Sequence, residues 1–235
     1  MAIRATQQFI GRIFTQRCFY LFIILLVFDA VVPFFTPDEG SKFVISIVDS
    51  FVAVAAVAAV GRTALSFVSV SLLAGGTLLF YWLSFYHEDP AHLARSWGFA
   101  AALDLATIIY LLRYVFRPEV MTADKLFGAA SAYLMLGSFW AGVYALMNVC
   151  QPNSFSGVGA AHESDLCDYL YFSYTALTNT GFGDIVPKTR GARALCNLEQ
   201  LTGVLYLAIL IARLAGVYPP MPGRKKGNEP AEDTK

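Results

Sequence analysis

The chain has 235 residues, of which 57% are hydrophobic and 14% charged, with a formal net charge of zero. A soluble domain carries nearer a quarter of charged residues, so this balance excludes an ordinary water-soluble fold and makes the lipid bilayer the expected solvent. The neutral total leaves no electrostatic reason to expect a nucleic-acid partner.

A helix needs about 20 mostly apolar residues to cross a hydrocarbon core roughly 30 Å thick. Runs of that kind fall at 18–36, 43–60, 64–86, 97–116, 127–149 and 196–218. Arg4, Arg12 and Arg17 precede the first run, as they would in a signal peptide. The run is long for that role, contains Asp29 and lacks a small-residue cleavage pattern, so an uncleaved anchor is expected. Asp29, Asp49 and Asp104 lie inside the first, second and fourth runs. Intramembrane carboxylates are costly and mark functional sites by default. The three acids are therefore a candidate site for a proton or cation, with simple helix-to-helix hydrogen bonds as the plainer reading.

After the third run, His87, Glu88, Asp89 and His92 crowd one loop. Their spacing matches no firm metal site, and a solvated loop is expected. Cys150 and Cys167 bracket the segment after the fifth run and are a candidate disulfide if that side is oxidising. Cys18 and Cys196 read as small apolar residues near helix ends.

Lys and Arg placement sets orientation. With both termini cytoplasmic, the inner segments hold Arg4, Arg12, Arg17, Arg62, Arg113, Arg117, Lys125, Arg213, Arg224, Lys225, Lys226 and Lys235. The outer segments hold Lys42, Arg95, Lys188, Arg190 and Arg193. Twelve inside against five outside fits an even number of spans in a multi-pass protein of the cell membrane.

The most informative stretch runs from Asp168 to Gly216. It reads as a half-length apolar run at about 168–178, then Asn179-Thr180-Gly181-Phe182-Gly183-Asp184, then a full span. Non-helical backbone at membrane depth is tolerated only where it is buried in protein or lines a hydrated cavity. A helix that dips in and stops at Gly-Phe-Gly therefore predicts a pore or a substrate site. Glycine reaches positive φ freely, which lets successive carbonyls face one axis.

Thr178-Asn179-Thr180-Gly181-Phe182-Gly183-Asp184 resembles the signature of the potassium-channel family, with Tyr171-Phe172-Ser173 like its pore helix and Ile185-Val186-Pro187 like its filter exit. The segment from Leu198 to Leu214 resembles the inner helix of small bacterial members. The resemblance implies an all-α membrane protein with six transmembrane helices. A re-entrant pore helix and filter would lie between the fifth and sixth, and four chains would form one pore. It divides the chain into peripheral helices (1–122), a pore domain (123–218) and a short disordered cytoplasmic tail (219–235).

The implied filter is Asn179 to Gly183, with K⁺ held by the carbonyls of Thr180, Gly181 and Phe182. Thr175, Thr178 and Asp184 would support it. Gly203 falls where the family often keeps a hinge glycine; its plainer reading is close helix packing. Three positions depart from the family. Asn179 stands for a threonine or serine, Thr180 for an apolar valine, isoleucine or leucine, and Phe182 for a tyrosine whose hydroxyl ties the filter to the pore helix. Non-selective cation conduction is therefore an alternative to potassium selectivity. Arg113 and Arg117 are too few for a voltage sensor, which needs several arginines at every third position. No cofactor is implied. A secondary transporter would show paired interrupted helices, and only one interruption is present. No catalytic constellation is found in the spans, so an enzyme is not expected.

Overall fold

The computed structural model describes residues 17–34, 39–61, 63–87, 90–118, 120–158 and 166–217. The head 1–16, Glu88, Asp89, His162 and the expected tail 219–235 lie outside them. The long helices are α1 (Arg17–Val31), α2 (Glu39–Val60), α3 (Ala64–His87), α4 (Pro90–Val115), α5 (Ala123–Cys150) and α7 (Arg190–Val217). A shorter α6 (Leu166–Leu177) precedes the last of these, and two short strands, β1 (Phe155–Ser156) and β2 (Val186–Pro187), pair antiparallel.

Local chemistry explains where the helices begin beyond the apolar runs. α4 opens on Pro90, and proline at a first helical position gives up an amide that has no partner there anyway. α5 is capped by Thr122, whose hydroxyl accepts from the Lys125 amide at 3.3 Å. α7 starts near Thr189, whose hydroxyl accepts from the Ala192 amide at 3.2 Å. Its first turns are therefore polar helix that hydropathy alone does not reveal.

α5 is the axis of the fold, packing against α1, α4, α6 and α7, while α3 lies on α4 and α2 joins α1 to α3. One buried cluster joins Cys18, Leu21 and Leu25 of α1 to Ala56 and Ala59 of α2, Leu111 of α4 and Met135 of α5. Alanines at Ala53, Ala55, Ala56 and Ala59 let α2 approach closely, as small residues do between helices in lipid. A second cluster is aromatic and surrounds α6, with Trp140, Tyr144, Phe155, Tyr169 and Phe172 at its centre.

Among the described residues, five stretches are long and apolar enough to cross a membrane: Arg17–Phe34, Ala64–Ser84, Ala91–Val115, Ala123–Cys150 and Arg190–Gly216. In α2 the apolar stretch among the described residues is shorter, Ile47–Val60. The chain is an all-α, multi-pass membrane protein. α6, with 12 residues, is too short to cross, since its rise is roughly 18 Å.

No disulfide joins Cys150 to Cys167 in the structure, unlike the candidate bridge read from the sequence. Cys150 ends α5 with its side chain exposed. Cys167, in the first turn of α6, is half-buried against the aromatic cluster. The two thiols serve different surroundings.

Candidate ion filter and its supports

α6 ends at Leu177, and the chain then makes a tight turn held by its last carbonyls. The Asn179 amide donates to Ala176 O at 2.9 Å, and Thr175 O accepts from both Thr180 N at 2.9 Å and Gly181 N at 3.1 Å. Beyond the turn, φ is positive at Asn179 (56°), Gly181 (56°) and Gly183 (82°), while Thr180 and Phe182 between them stay negative. Alternation of the two hands along five residues turns successive peptide planes so that their carbonyls can face one side. A regular strand, whose residues share one hand, points them to alternate sides.

The three supports expected from the sequence all lie here. Thr175 supplies the carbonyl just described, and its hydroxyl is bonded to Phe172 O at 2.8 Å. Thr178 donates to Tyr174 O at 2.7 Å, so its hydroxyl accepts from Thr180 at 2.8 Å. The Thr180 hydroxyl, which replaces an apolar side chain of the family pattern, thereby has its partner. Asp184 accepts from the Tyr171 hydroxyl at 2.7 Å and from the Ile185 amide at 3.0 Å. Chiefly the Tyr171 bond holds the Asp184 carboxyl below the ordinary carboxylate range.

The missing Phe182 hydroxyl is answered by Tyr171, which the sequence reading likened to the pore helix without giving it a contact to the filter. Its ring lies parallel to Phe182, with centroids 6.3 Å apart and planes 3° from parallel. One side chain of α6 thus covers the Phe182 ring and ties the far end of the segment through Asp184. On the other flank, β2 pairs with β1, and the Lys188 amide donates to Ser154 O at 2.8 Å.

Gly203 is buried against the end of α6. A Cβ built there would stand 2.3 Å from Leu177 O, so its place in this fold is a close approach of α7 to α6. α7 runs through it as unbroken helix.

Of the three intramembrane acids, Asp29 reaches the candidate site. Its Oδ2 accepts from the Tyr174 hydroxyl at 2.7 Å, and Oδ1 is buried without a hydrogen-bond partner. Asp49 and Asp29 both lie within electrostatic reach of Asp104. Among the described residues, no group of three His, Cys, Asp or Glu side chains could hold a metal ion. His92 meets Arg95 at 3.2 Å and stacks on Phe80.

Sequence reading also missed a fourth acid. Glu199 of α7 is 0% exposed, and its carboxyl meets the hydroxyls of Tyr144 and Ser173. A lone acid in an apolar span was the available signal.

Comparison with known proteins falls on this region. Residues 126–218 match the family model described as "Ion channel". The chain is 34% identical over 59 residues to the potassium channel protein kcv of Paramecium bursaria Chlorella virus 1, covering 25% of this chain and 62% of that one. It is 34% identical over 73 residues to two-pore potassium channel 4 of Arabidopsis thaliana, covering 31% of this chain and 26% of that one. The matched part spans less than two thirds of either relative. No solved structure matches the chain. Residues 126–218, which carry α5, α6, the glycine-rich segment and α7, thus match the ion-channel family model, and part of the chain is similar to two potassium channels.

Proposed function

We propose that the chain is one subunit of a potassium-selective channel in which four copies surround an axis and each contributes residues 179–183 as a filter strand. The observation that carries this reading is the alternation of φ from Asn179 to Gly183. Rings of such carbonyls replace the hydration shell of a potassium ion in the general mechanism of these filters. Here the carbonyls of Thr180, Gly181 and Phe182 hold the ion.

Cyclic assembly follows from solvation. Phe182 is 70% exposed in the single chain, and the irregular backbone beside it cannot face lipid. Further copies and a water-filled axis cover it, and a ring with closed symmetry leaves no strand uncovered. The apolar residues exposed along α7, such as Leu201, Val204 and Leu205, are then divided between neighbouring subunits, the inner vestibule and lipid.

Both termini are cytoplasmic and the membrane is the cell membrane, in keeping with the excess of Lys and Arg in the inner segments. Opening is not strongly voltage-dependent. Arg113 and Arg117 are exposed at the end of α4, and the Arg113 guanidinium lies 5.9 Å from the Tyr110 ring, as befits an interfacial anchor. Asp29, Asp49 and Asp104 form the polar seam through which the peripheral helices act on the pore helix.

Proteoliposomes under opposed potassium and sodium gradients test the reading. A reversal potential near the potassium equilibrium value is expected. Equal permeability would replace selectivity by the non-selective cation pore, the reading that the Asn179 amide at the inner mouth favours. A protein that runs as a monomer and passes no ion would end both.

A further inference from the structure

Glu199 lies ten residues into the inner helix, yet no water or pore reaches it, since it is 0% exposed. Its carboxyl stands where three helices meet. Oε2 takes the hydroxyl of Tyr144 from α5, and Oε1 lies 2.5 Å from the hydroxyl of Ser173 on α6. The same Ser173 oxygen is 2.8 Å from Gly137 O on α5. A serine hydroxyl has one hydrogen and a carbonyl can only accept. If Ser173 donates to Gly137 O, the hydrogen between Ser173 and Oε1 belongs to the Glu199 side. Tyr144 then donates to Oε2, and every polar group is satisfied without a buried charge.

Around this node the rings of Tyr144, Phe172 and Phe155 pack with centroids 5.1 to 5.4 Å apart, which keeps water out. The other titratable neighbours are Cys196 on the same helix and Tyr133 on α5. Ser173 stands two residues before Thr175, whose carbonyl receives the amides of Thr180 and Gly181. The height of that carbonyl depends on how α6 is held between α5 and α7.

We propose that Glu199 is a positioning residue for the filter, a shared hydrogen-bond partner that locks α6 to α5 and α7 and thereby fixes Thr175 O beneath the Thr180 and Gly181 amides. The proposal rests on residues 179–183 being the ion filter, but its structural half can be read without conduction.

The full chain is reconstituted as wild type, Glu199→Gln, Glu199→Leu and Tyr144→Phe. Amide hydrogen exchange over 169–181 and the potassium-to-sodium permeability ratio are measured for each. Glutamine can accept from Tyr144 and donate to Ser173, so Glu199→Gln should match wild type in both. Glu199→Leu strands two buried hydroxyl contacts, and exchange at Thr180 and Gly181 should rise about tenfold or more. Its permeability ratio should fall several-fold with assembly retained. Tyr144→Phe removes one bond with little change in shape and should move both readouts in the same direction by less, which keeps the test open if Glu199→Leu does not fold.

Wild-type exchange and an unchanged ratio in Tyr144→Phe and in any folded Glu199→Leu protein overturn the proposal. So does a Glu199→Gln protein as impaired as Glu199→Leu, since the carboxyl would then act through its charge. If wild type itself shows no potassium preference, the filter reading fails while the exchange arm still decides whether Glu199 holds α6.

Discussion

Asn179 has two demands to meet at once. Its φ of 56° lies in the left-handed region, where asparagine is several-fold enriched over most side chains and a β-branched residue is a true outlier. The departure from the family pattern thus has a backbone rationale that no spacing of residues reveals. Asn179→Ile is expected to destabilise each subunit by about 1–3 kcal/mol, while Asn179→Gly keeps the fold; thermal unfolding of the purified assembly measures both. At the opposite end, Asp184 is held ionised chiefly by Tyr171. A carboxyl whose folded pKa is depressed adds stability above its unfolded pKa and loses it as pH falls through the folded value. Tyr171→Phe removes the largest cause, so acid suppression of conductance should begin at higher external pH than in wild type. Identical acid profiles would mean that the bond does not hold in the assembled pore. Glu199 shows what the sequence hides at this scale. It stands between Leu198 and Gln200 at the polar start of a span, and its partners Tyr144 and Ser173 are 55 and 26 residues away. Only the fold brings them together.

At the scale of elements, the long apolar helices were legible because lipid demands length and hydropathy together. Their ends were not, because α4 and α7 extend outward on Pro90 and on the Thr189 cap, signals that hydropathy ignores. The two readings of Gly203 now separate. A methyl there would meet Leu177 O, a backbone atom at the end of α6 that no rotamer change can move aside. Gly203→Ala should therefore lower stability by about 1–3 kcal/mol, the usual range for overpacking, and should loosen α6 with it. Denaturant or thermal unfolding in detergent gives the first number, and exchange over 169–177 gives the second. A hinge predicts the reverse: intact stability with altered opening. At its other end α7 is tied to the linker before α5, where the Arg213 guanidinium donates to Arg117 O at 3.0 Å. α7 is thus held against the rest of the chain near its middle, at Gly203, and in its last turns, at Arg213.

Across the whole molecule, the ion-channel match covers residues 126–218, and four long helices precede it in the chain. One link between the two parts runs through Tyr174. Its hydroxyl faces Asp29 Oδ2 at 2.7 Å and Leu134 O at 3.0 Å, so one phenol on α6 touches both α1 and α5. A phenol has a single hydrogen to give. Two acceptors compete for it, and a shift of α1 tips that competition. Asp29 also keeps a buried oxygen without a partner, a cost no purely structural pair would need to carry. The remaining acids lie close by on α2 and α4, which extends the polar seam across the periphery. Movement or hydration of the peripheral bundle is therefore felt at the residue that precedes Thr175. Tyr174→Phe should cut this link while keeping the ring, leaving assembly and ion preference near wild type and changing open probability several-fold. Asp29→Asn, which still accepts from the phenol through its amide oxygen, should change it less. Single-channel recording of the two variants measures the difference. Equal open probabilities in wild type and Tyr174→Phe would assign the four peripheral helices to anchoring alone.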